Sequence, residues 1–516
     1  MLLAVTSSLA PAARTDSAAL NPTWPGQEPP NPFASLQARP KYVVLLVLDG
    51  GLPTYFRLGD FPHLKALQRD GTTYTSAWDG MLETETPTGH ATLGTGSLPR
   101  RHGVISFSWV TDQAVHEQPT NPIPIQQGAL EQVLRQSGVP SLSSLLKAHD
   151  PSARVVVTSG HKDYAVDAVG GPYADYLMYY ALQGQQWMPV AIPRHVPPRS
   201  VLDQPSLKAF APHLGPGDQD SFAVQLAMSA FRTIHQRVTI INEPEFDWPL
   251  GHLDGGGYNR NLAWRLMTRL DSDVANIEAQ LQAAHVLKQT LFVLTADHGM
   301  LTLRHRIAHD VIEKVVHDSG TTLSDYEYHS AGYLWLNDRN KVEQVAANMV
   351  KLNNPYIRAV YLRLPGSIGY TRQYDPHNVL PEGAELAYQF LLSTLAGPSA
   401  PHIAIMLREN TAIVGRNEID WLGDHGGGTW NAEHIPLMLS GPGVRRGFRS
   451  DYPATIYDIS PTILSLLGAA STGMDGVPLA DSILSPAPSE QDAQSVQRGK
   501  FTPLVQALKA ESKKDR

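Results

Sequence analysis

At 516 residues the chain can bury one large core, and 42% hydrophobic with 17% charged residues describes an ordinary globular protein. A net charge of −8, with no basic tract beyond Lys513-Lys514-Asp515-Arg516, gives no footprint for polymeric nucleic acid, and no run reaches the ~18 apolar residues of a membrane span. The absence of cysteine excludes disulfides, thiolate metal sites and a cysteine nucleophile.

The first thirteen residues are apolar and close in small residues, like the back half of an export signal without its basic front. An exported (periplasmic or extracellular) protein is therefore expected, with the cytoplasm as the alternative. Residues 15–40, rich in Pro, Ser and Ala, complete a leader over 1–40. Tyr42–Leu48 is a continuous apolar run, expected as a strand buried on both faces, and it ends in Asp49-Gly50-Gly51. A helix is expected around Phe61–Arg69. The stretch Glu83–Gly103 follows, centred on Thr86-Pro87. Proline suits the first helical position, which makes Thr86 the expected N-cap of a helix through His90 and Leu93. A hydroxyl there sits in the positive end of the helix dipole beside free backbone N–H groups, a place suited to an anion.

Ala153–Thr158 reads as the next strand, running into Ser159-Gly160-His161-Lys162-Asp163-Tyr164. Residues 170–236, punctuated by Pro and Gly, read as loops and short helices. Arg237–Ile241 is a strand leading to Asp247 and His252. Leu266, Leu270, Val274, Ile277 and Leu281 recur at helical spacing within a helix expected over Leu262–Leu287. The strand Leu291–Thr295 then ends in Asp297-His298-Gly299. This strand–helix–strand alternation predicts an α/β fold with a mostly parallel central sheet flanked by helices. Residues 305–415 read as an α+β insertion, with a helix over Lys341–Lys351. Gly423-Asp424-His425-Gly426 precedes a strand at Ile435–Leu439, a helix follows at Ile459–Leu467, and residues 486–516 read as a loose polar tail of a catalytic domain spanning 41–485.

Independently read strands thus end in Asp49, Asp247 with His252, and Asp297-His298, while His425 precedes a further strand. In a parallel sheet those ends share one edge. Three Asp and three His without Cys suit divalent metals, zinc above all, and with Thr86 they are enough for two ions. Two ions roughly 3.5–4 Å apart clamp the attacking and leaving oxygens of a phosphoryl displacement.

Leu48-Asp49-Gly50, Thr86 through Thr95-Gly96, Pro99 with His102-Gly103, Asp297-His298-Gly299 and His425-Gly426 together resemble the type I phosphodiesterase/nucleotide pyrophosphatase branch of the alkaline phosphatase superfamily. The resemblance spans roughly Lys41–Leu479 and implies an alkaline-phosphatase-like core and two zinc ions. It places Asp247, His252 and His425 on one ion, and Asp49, Asp297, His298 and the nucleophile Thr86 on the other. It implies hydrolysis of a small phosphodiester or pyrophosphate through a phosphothreonine, an alkaline-phosphatase-like monoesterase being the alternative and a catalytically inactive metal-stabilised binding protein the remote one.

Three departures bear on the substrate. Asp247 and His252 are five residues apart where the family has four, which leaves Glu245 as a rival ligand. The position of the family's phosphoryl-binding Asn is Phe107, flanked by Ser106 and Ser108. The Lys-x-Arg pair of the related monoesterases is Lys162-Asp163-Tyr164, and Tyr cannot hold a phosphate bidentately as Arg does. Lys162, Ser106, Ser108, Phe107 and Tyr164 are therefore the expected substrate-facing residues, with the diester favoured. Leaving-group recognition is assigned to segments 165–236 and 305–415.

Overall fold

The computed structural model describes residues 39–108, 110, 129–204, 207, 214–257 and 260–515. The leader expected over residues 1–40 lies outside them except for its last two positions. An uninterrupted apolar run leaves no face for water, so Tyr42–Leu48 (β1) is an interior strand, buried at every residue after Tyr42. The main elements after it are α1 (Pro62–Arg69), β2 (Gly71–Tyr74), α2 (Thr86–Thr95), β3 (Val155–Ser159), α3 (Asp163–Gly170), β4 (Tyr176–Gln183), β5 (Gln186–Ala191), α4 (Asp218–Ile234), β6 (Val238–Glu243), α5 (Arg260–Ala283) and β7 (Thr290–Thr295). The insertion then supplies β8 (Leu323–Tyr328), β9 (Ala331–Leu336), α6 (Val342–Lys351), β10 (Ile357–Leu362), β11 (Thr371–Arg372), α7 (Glu382–Leu395) and β12 (Ile403–Leu407). The chain returns with β13 (Leu437–Ser440), β14 (Phe448–Ser450), α8 (Ile459–Leu467) and α9 (Pro488–Lys514).

The large sheet has the order β14-β2-β13-β7-β1-β6-β3-β4-β5. Its central strands β7, β1, β6 and β3 are mutually parallel, so their carboxyl ends lie along one edge. The strands β13 and β5 run antiparallel to their neighbours. The insertion's sheet, β8-β9-β12-β10-β11, is antiparallel throughout and buries one face against α6 through Leu334, Val360, Ile405, Val345 and Met349. The five periodic residues of α5 are all buried, as their spacing predicts, although the helix ends at Ala283, ahead of His285 at φ +59°.

Two segments differ from expectation. Residues 170–236 hold the β4–β5 hairpin and the 17-residue helix α4 rather than loops and short helices. Helix α4 buries nearly every residue from Asp220 to Phe231, apolar and polar alike, which gives little periodic contrast in sequence. Residues 486–516 are not a loose tail. Pro488–Lys514 form the 27-residue helix α9, whose Phe501, Leu504, Val505 and Leu508 are buried. Phe501 meets Trp78 edge-on at 5.7 Å and Phe390 of α7 at 5.2 Å, so this helix ties the insertion to the core. Among the described residues no helix is long and apolar enough to cross a membrane. Replacing Phe501 with Ala is expected to lower unfolding free energy by about 3–5 kcal/mol in denaturant titration; a loss within 0.5 kcal/mol, roughly that of a surface site, would contradict the packing described.

Candidate active site

The edge shared by the carboxyl ends of β7, β1, β6 and β3 concentrates charge. Asp297 and His298 follow β7, Asp49 follows β1, Asp247 lies beyond β6, and Lys162 lies beyond β3. Helix α2 presses directly on this edge: a Cβ at Gly89 would lie 2.2 Å from the Asp297 carbonyl oxygen, so only glycine permits the approach. Thr86 is the first residue of that helix and Pro87 the second, while the extended residue before them is Glu85 (φ −105°, ψ 156°). The expected cap is thus displaced by one residue, and the Thr86 hydroxyl stands within the first turn.

Asp247, His252 and His425 converge as a triangle. His252 Nε2 lies 3.2 Å from Asp247 Oδ1 and 3.2 Å from His425 Nε2, and His425 Nε2 is 3.4 Å from Asp247 Oδ1. Tetrahedral zinc with bonds of about 2.0–2.1 Å requires ligand separations of about 3.3–3.4 Å. Both imidazoles hydrogen-bond a backbone carbonyl through Nδ1, His252 to Gly423 at 3.1 Å and His425 to Thr84 at 2.9 Å. Donation there leaves each Nε2 lone pair facing the triangle, the arrangement seen behind metal-bound histidines. Asp247 Oδ1 is buried with no hydrogen-bond donor. Three electron-rich atoms facing one another without a proton donor fit a divalent cation.

The second cluster surrounds Thr86. Its Oγ1 is 3.2 Å from Asp49 Oδ1 and 3.4 Å from His298 Nε2, and His298 Nε2 lies 3.5 Å from Asp49 Oδ1 and 3.6 Å from Asp297 Oδ2. His298 Nδ1 is turned to the Gly299 carbonyl at 2.9 Å, and Asp297 Oδ2 is buried without a hydrogen-bond donor. Asp49, Asp297, His298 and the Thr86 hydroxyl therefore fit a second ion of the same kind.

Lys162 lies between the two clusters. Its Nζ donates to Asp247 Oδ2 at 2.6 Å, Asp49 Oδ1 at 2.7 Å and Thr86 Oγ1 at 3.3 Å. Burial alone lowers a lysine, but Asp247 and Asp49 outweigh it and hold this ammonium well above its ordinary range. Burial likewise pushes both carboxyls up, yet Lys162 first, then His298 beside Asp49 and His252 beside Asp247, keep them below the usual carboxylate range. For His298, burial is outweighed by Asp297, Asp49 and Asp247, which raise it to about 10. The Lys162 ammonium and a protonated His298 leave three buried carboxylates with net negative charge, a field that attracts further cations.

The extra residue between Asp247 and His252 is absorbed by one wide turn, in which the His252 N–H donates to the Asp247 carbonyl and Trp248 is extended. Glu245 is no rival ligand: its Oε2 accepts the backbone N–H groups of Gln219 and Asp220 at the start of α4, at 2.9 and 3.3 Å. Phe107 and Tyr164 meet edge to face at 5.1 Å, and the Lys162 ammonium lies 5.9 Å from the Tyr164 ring centre. Of the flanking serines, Ser108 Oγ donates to Asp325 Oδ2 at 2.5 Å, while Ser106 is buried beside Glu83.

Two further residues belong to the site. His90 Nδ1 donates to the Thr86 carbonyl at 2.9 Å and lies 3.0 Å from Asp297 Oδ2. Asn242 donates from its amide to Asp49 Oδ2 at 2.9 Å and to His90 Nε2 at 3.2 Å. The first was available from sequence, being one helical turn after Thr86 on the same face. The second carried only a weak signal, an amide at the end of an apolar strand.

The sequence profile of the type I phosphodiesterase / nucleotide pyrophosphatase family matches residues 43–428. The chain belongs to that family. It is a family of hydrolases, and the clustered carboxylates and imidazoles fit metal-dependent hydrolysis. Alkaline phosphatase PhoK of Sphingomonas sp is 31% identical over 150 residues, 27% of this chain and 27% of that protein. Alkaline phosphatase PhoD of Zymomonas mobilis is 28% identical over 124 residues, 23% of this chain and 21% of that protein. The chain thus matches about a quarter of the length of these curated relatives. Among solved structures, alkaline phosphatase PafA superposes with a TM-score of 0.65 at 15% identity, covering 86% of this chain and 99% of that one. Murine ectonucleotide pyrophosphatase/phosphodiesterase 5 gives 0.57 at 14% identity, covering 84% and 97%. Both share the α/β fold with its mostly parallel sheet.

His298, held near 10 by its carboxylates, is protonated at pH 7.5 in zinc-free protein and must lose that proton to present Nε2 to an ion. Zinc titration at pH 7.5 is therefore expected to release at least one proton per chain, read from the buffer dependence of the calorimetric enthalpy, with affinity weakening as the pH falls. Uptake with no proton release would contradict the electrostatics described.

Proposed function

We propose that this chain is a two-zinc phosphodiesterase or pyrophosphatase that works through a covalent phosphothreonine at Thr86, on a small nucleotide-like or phospholipid-like substrate. The observation that carries the reading is the setting of one hydroxyl: Thr86 Oγ1 lies within 3.5 Å of Asp49, His298 and Lys162 in the first turn of α2. A threonine that serves only as a cap needs none of those neighbours. Also in support, a structure of murine ectonucleotide pyrophosphatase/phosphodiesterase 5 in complex with AMP is of a threonine-to-alanine variant described as inactive.

Asp247, His252 and His425 would hold one zinc ion, and Asp49, Asp297, His298 and Thr86 the other. When bound, the pair supplies Lewis-acid stabilisation of the phosphoryl oxygens and makes a hydroxyl and a water acidic enough to react near neutral pH. Thr86 Oγ1 attacks phosphorus, forming the Thr–O–P bond as the bond to the leaving oxygen breaks. The hydroxyl proton passes to solvent or to the departing oxygen. Water then cleaves the Thr–O–P bond, releasing the monoester and regenerating the hydroxyl. Lys162, held against Thr86 by two carboxylates, stabilises negative charge on the reacting oxygens. The α2 N-terminus adds backbone N–H groups and its dipole in the same sense.

The Phe107–Tyr164 pair supports the diester. Where a doubly charged monoester would require donors, this chain presents an aromatic wall with Lys162 as the adjacent cation. A diester carries one charge fewer and an organic group on the oxygen that the wall would face.

Thr86→Ala is expected to retain zinc and to lose turnover of bis-p-nitrophenyl phosphate by on the order of 10³-fold or more. Undiminished turnover would overturn the nucleophile. Tyr164→Arg restores a fork for phosphate, and is expected to shift the ratio of kcat/KM for p-nitrophenyl phosphate over bis-p-nitrophenyl phosphate upward by about tenfold. A wild-type ratio already favouring the monoester would replace the diester reading with the alkaline-phosphatase-like one.

A further inference from the structure

The turn between β8 and β9, His329-Ser330, is seated on the loop that carries His425. The Ser330 N–H and hydroxyl both donate to the His425 carbonyl, at 2.8 and 2.7 Å. The Tyr333 hydroxyl donates to the Gly426 carbonyl at 2.9 Å. From the core side, the Thr84 carbonyl accepts His425 Nδ1–H and the Thr84 hydroxyl accepts the Gly426 N–H at 3.1 Å. Gly426 has φ +81°, and a Cβ there would fall 2.4 Å from Glu85 Oε1 and 2.9 Å from His329 Cβ. The loop is therefore held between the nucleophile segment and the insertion, with no room for a side chain at Gly426.

The same turn brings an imidazole into a negative shell. His329 Nε2 lies 3.5 Å from Glu85 Oε1 and 3.6 Å from Glu327 Oε2, and its Nδ1 is 3.4 Å from Asp424 Oδ1. Glu85 Oε1 is in turn 3.3 Å from His425 Nδ1. The rings of His329, His425 and His298 are close to parallel, with His425 at 6.1 Å and 9° from the first and 3.7 Å and 13° from the last. His329 thus reaches His425 by ring plane, through Glu85 and through Asp424, while Ser330 fixes its backbone.

We infer that His329 and Ser330 are positioning residues for His425: the insertion's hairpin turn sets the plane of that imidazole and aims its Nε2 at Asp247 and His252. The insertion then governs affinity at one of the two metal positions, a role distinct from the leaving-group recognition expected of residues 305–415. The inference rests on Asp247, His252 and His425 being metal ligands.

The test uses the full chain and zinc alone, titrated against a chromophoric chelator, with hydrogen exchange of residues 424–428 followed in the zinc-free protein. His329→Ala and the milder Ser330→Ala are expected to weaken one of two zinc sites by about tenfold to hundredfold. The other site should stay within about twofold, and exchange over 424–428 should speed up. Tyr326→Ala, on the same hairpin but 41% exposed, should change neither. Unchanged affinity and exchange in folded His329→Ala and Ser330→Ala, or equal loss at both sites, would overturn the inference. If the wild-type chain takes up no zinc, the metal reading falls. Exchange alone then decides the brace: faster exchange upholds it, and unchanged exchange refutes it.

Discussion

Three carboxylates, Asp49, Asp247 and Asp297, are buried together at the carboxyl edge of the sheet, and most of the surrounding architecture answers to that concentration of charge. An uncompensated buried charge costs several kcal/mol, so the arrangement persists only where cations or donors offset it. Lys162 offsets part, donating to two of the three. The Gly50 N–H and the Asn242 amide satisfy single oxygens of Asp297 and Asp49. What remains unsatisfied is specific: Asp247 Oδ1 and Asp297 Oδ2, each facing an imidazole whose other nitrogen already holds a carbonyl. Those two oxygens support the proposed pair of metal positions more directly than any count of acidic residues.

Positioning comes from elements that have no chemistry of their own. Gly89 lets α2 descend until Thr86 meets Asp49 and His298. The wide turn after Asp247 takes up one extra residue without moving His252 away from it. Glu245, by capping α4, fixes the start of that turn to a long helix behind the sheet. The insertion contributes from the opposite side through Ser330 and His329, so His425 is held by two parts of the chain nearly a hundred residues away from it or more.

The central strands were legible because parallel strands buried on both faces need unbroken apolar runs, and Tyr42–Leu48 has no other explanation. The candidate metal-site residues were legible because Asp and His recur at the ends of such runs, which one sheet edge brings together. Where the reading failed, the signal was tertiary. Helix α9 carries its buried apolar residues from Phe501 onward among polar neighbours, and α4 is buried on too many sides for a clear stripe. Glu245 and Asp247 are chemically alike in sequence, and only the backbone amides of Gln219 and Asp220 separate them. His329 gave no sequence signal, since its partners Glu85, Glu327 and Asp424 meet only on folding.

The proposed preference for a singly charged phosphate rests on Phe107, Tyr164 and Lys162, which pair an aromatic wall with a single cation. The central claim remains covalent catalysis at Thr86, and its most direct measurement is acid-quenched turnover of bis-p-nitrophenyl phosphate by the zinc-loaded chain, followed by peptide mass spectrometry. The account predicts a p-nitrophenyl phosphoryl adduct on the peptide containing Thr86. Turnover with the adduct on another residue, or with none under conditions where a pre-steady-state burst is observed, would contradict it.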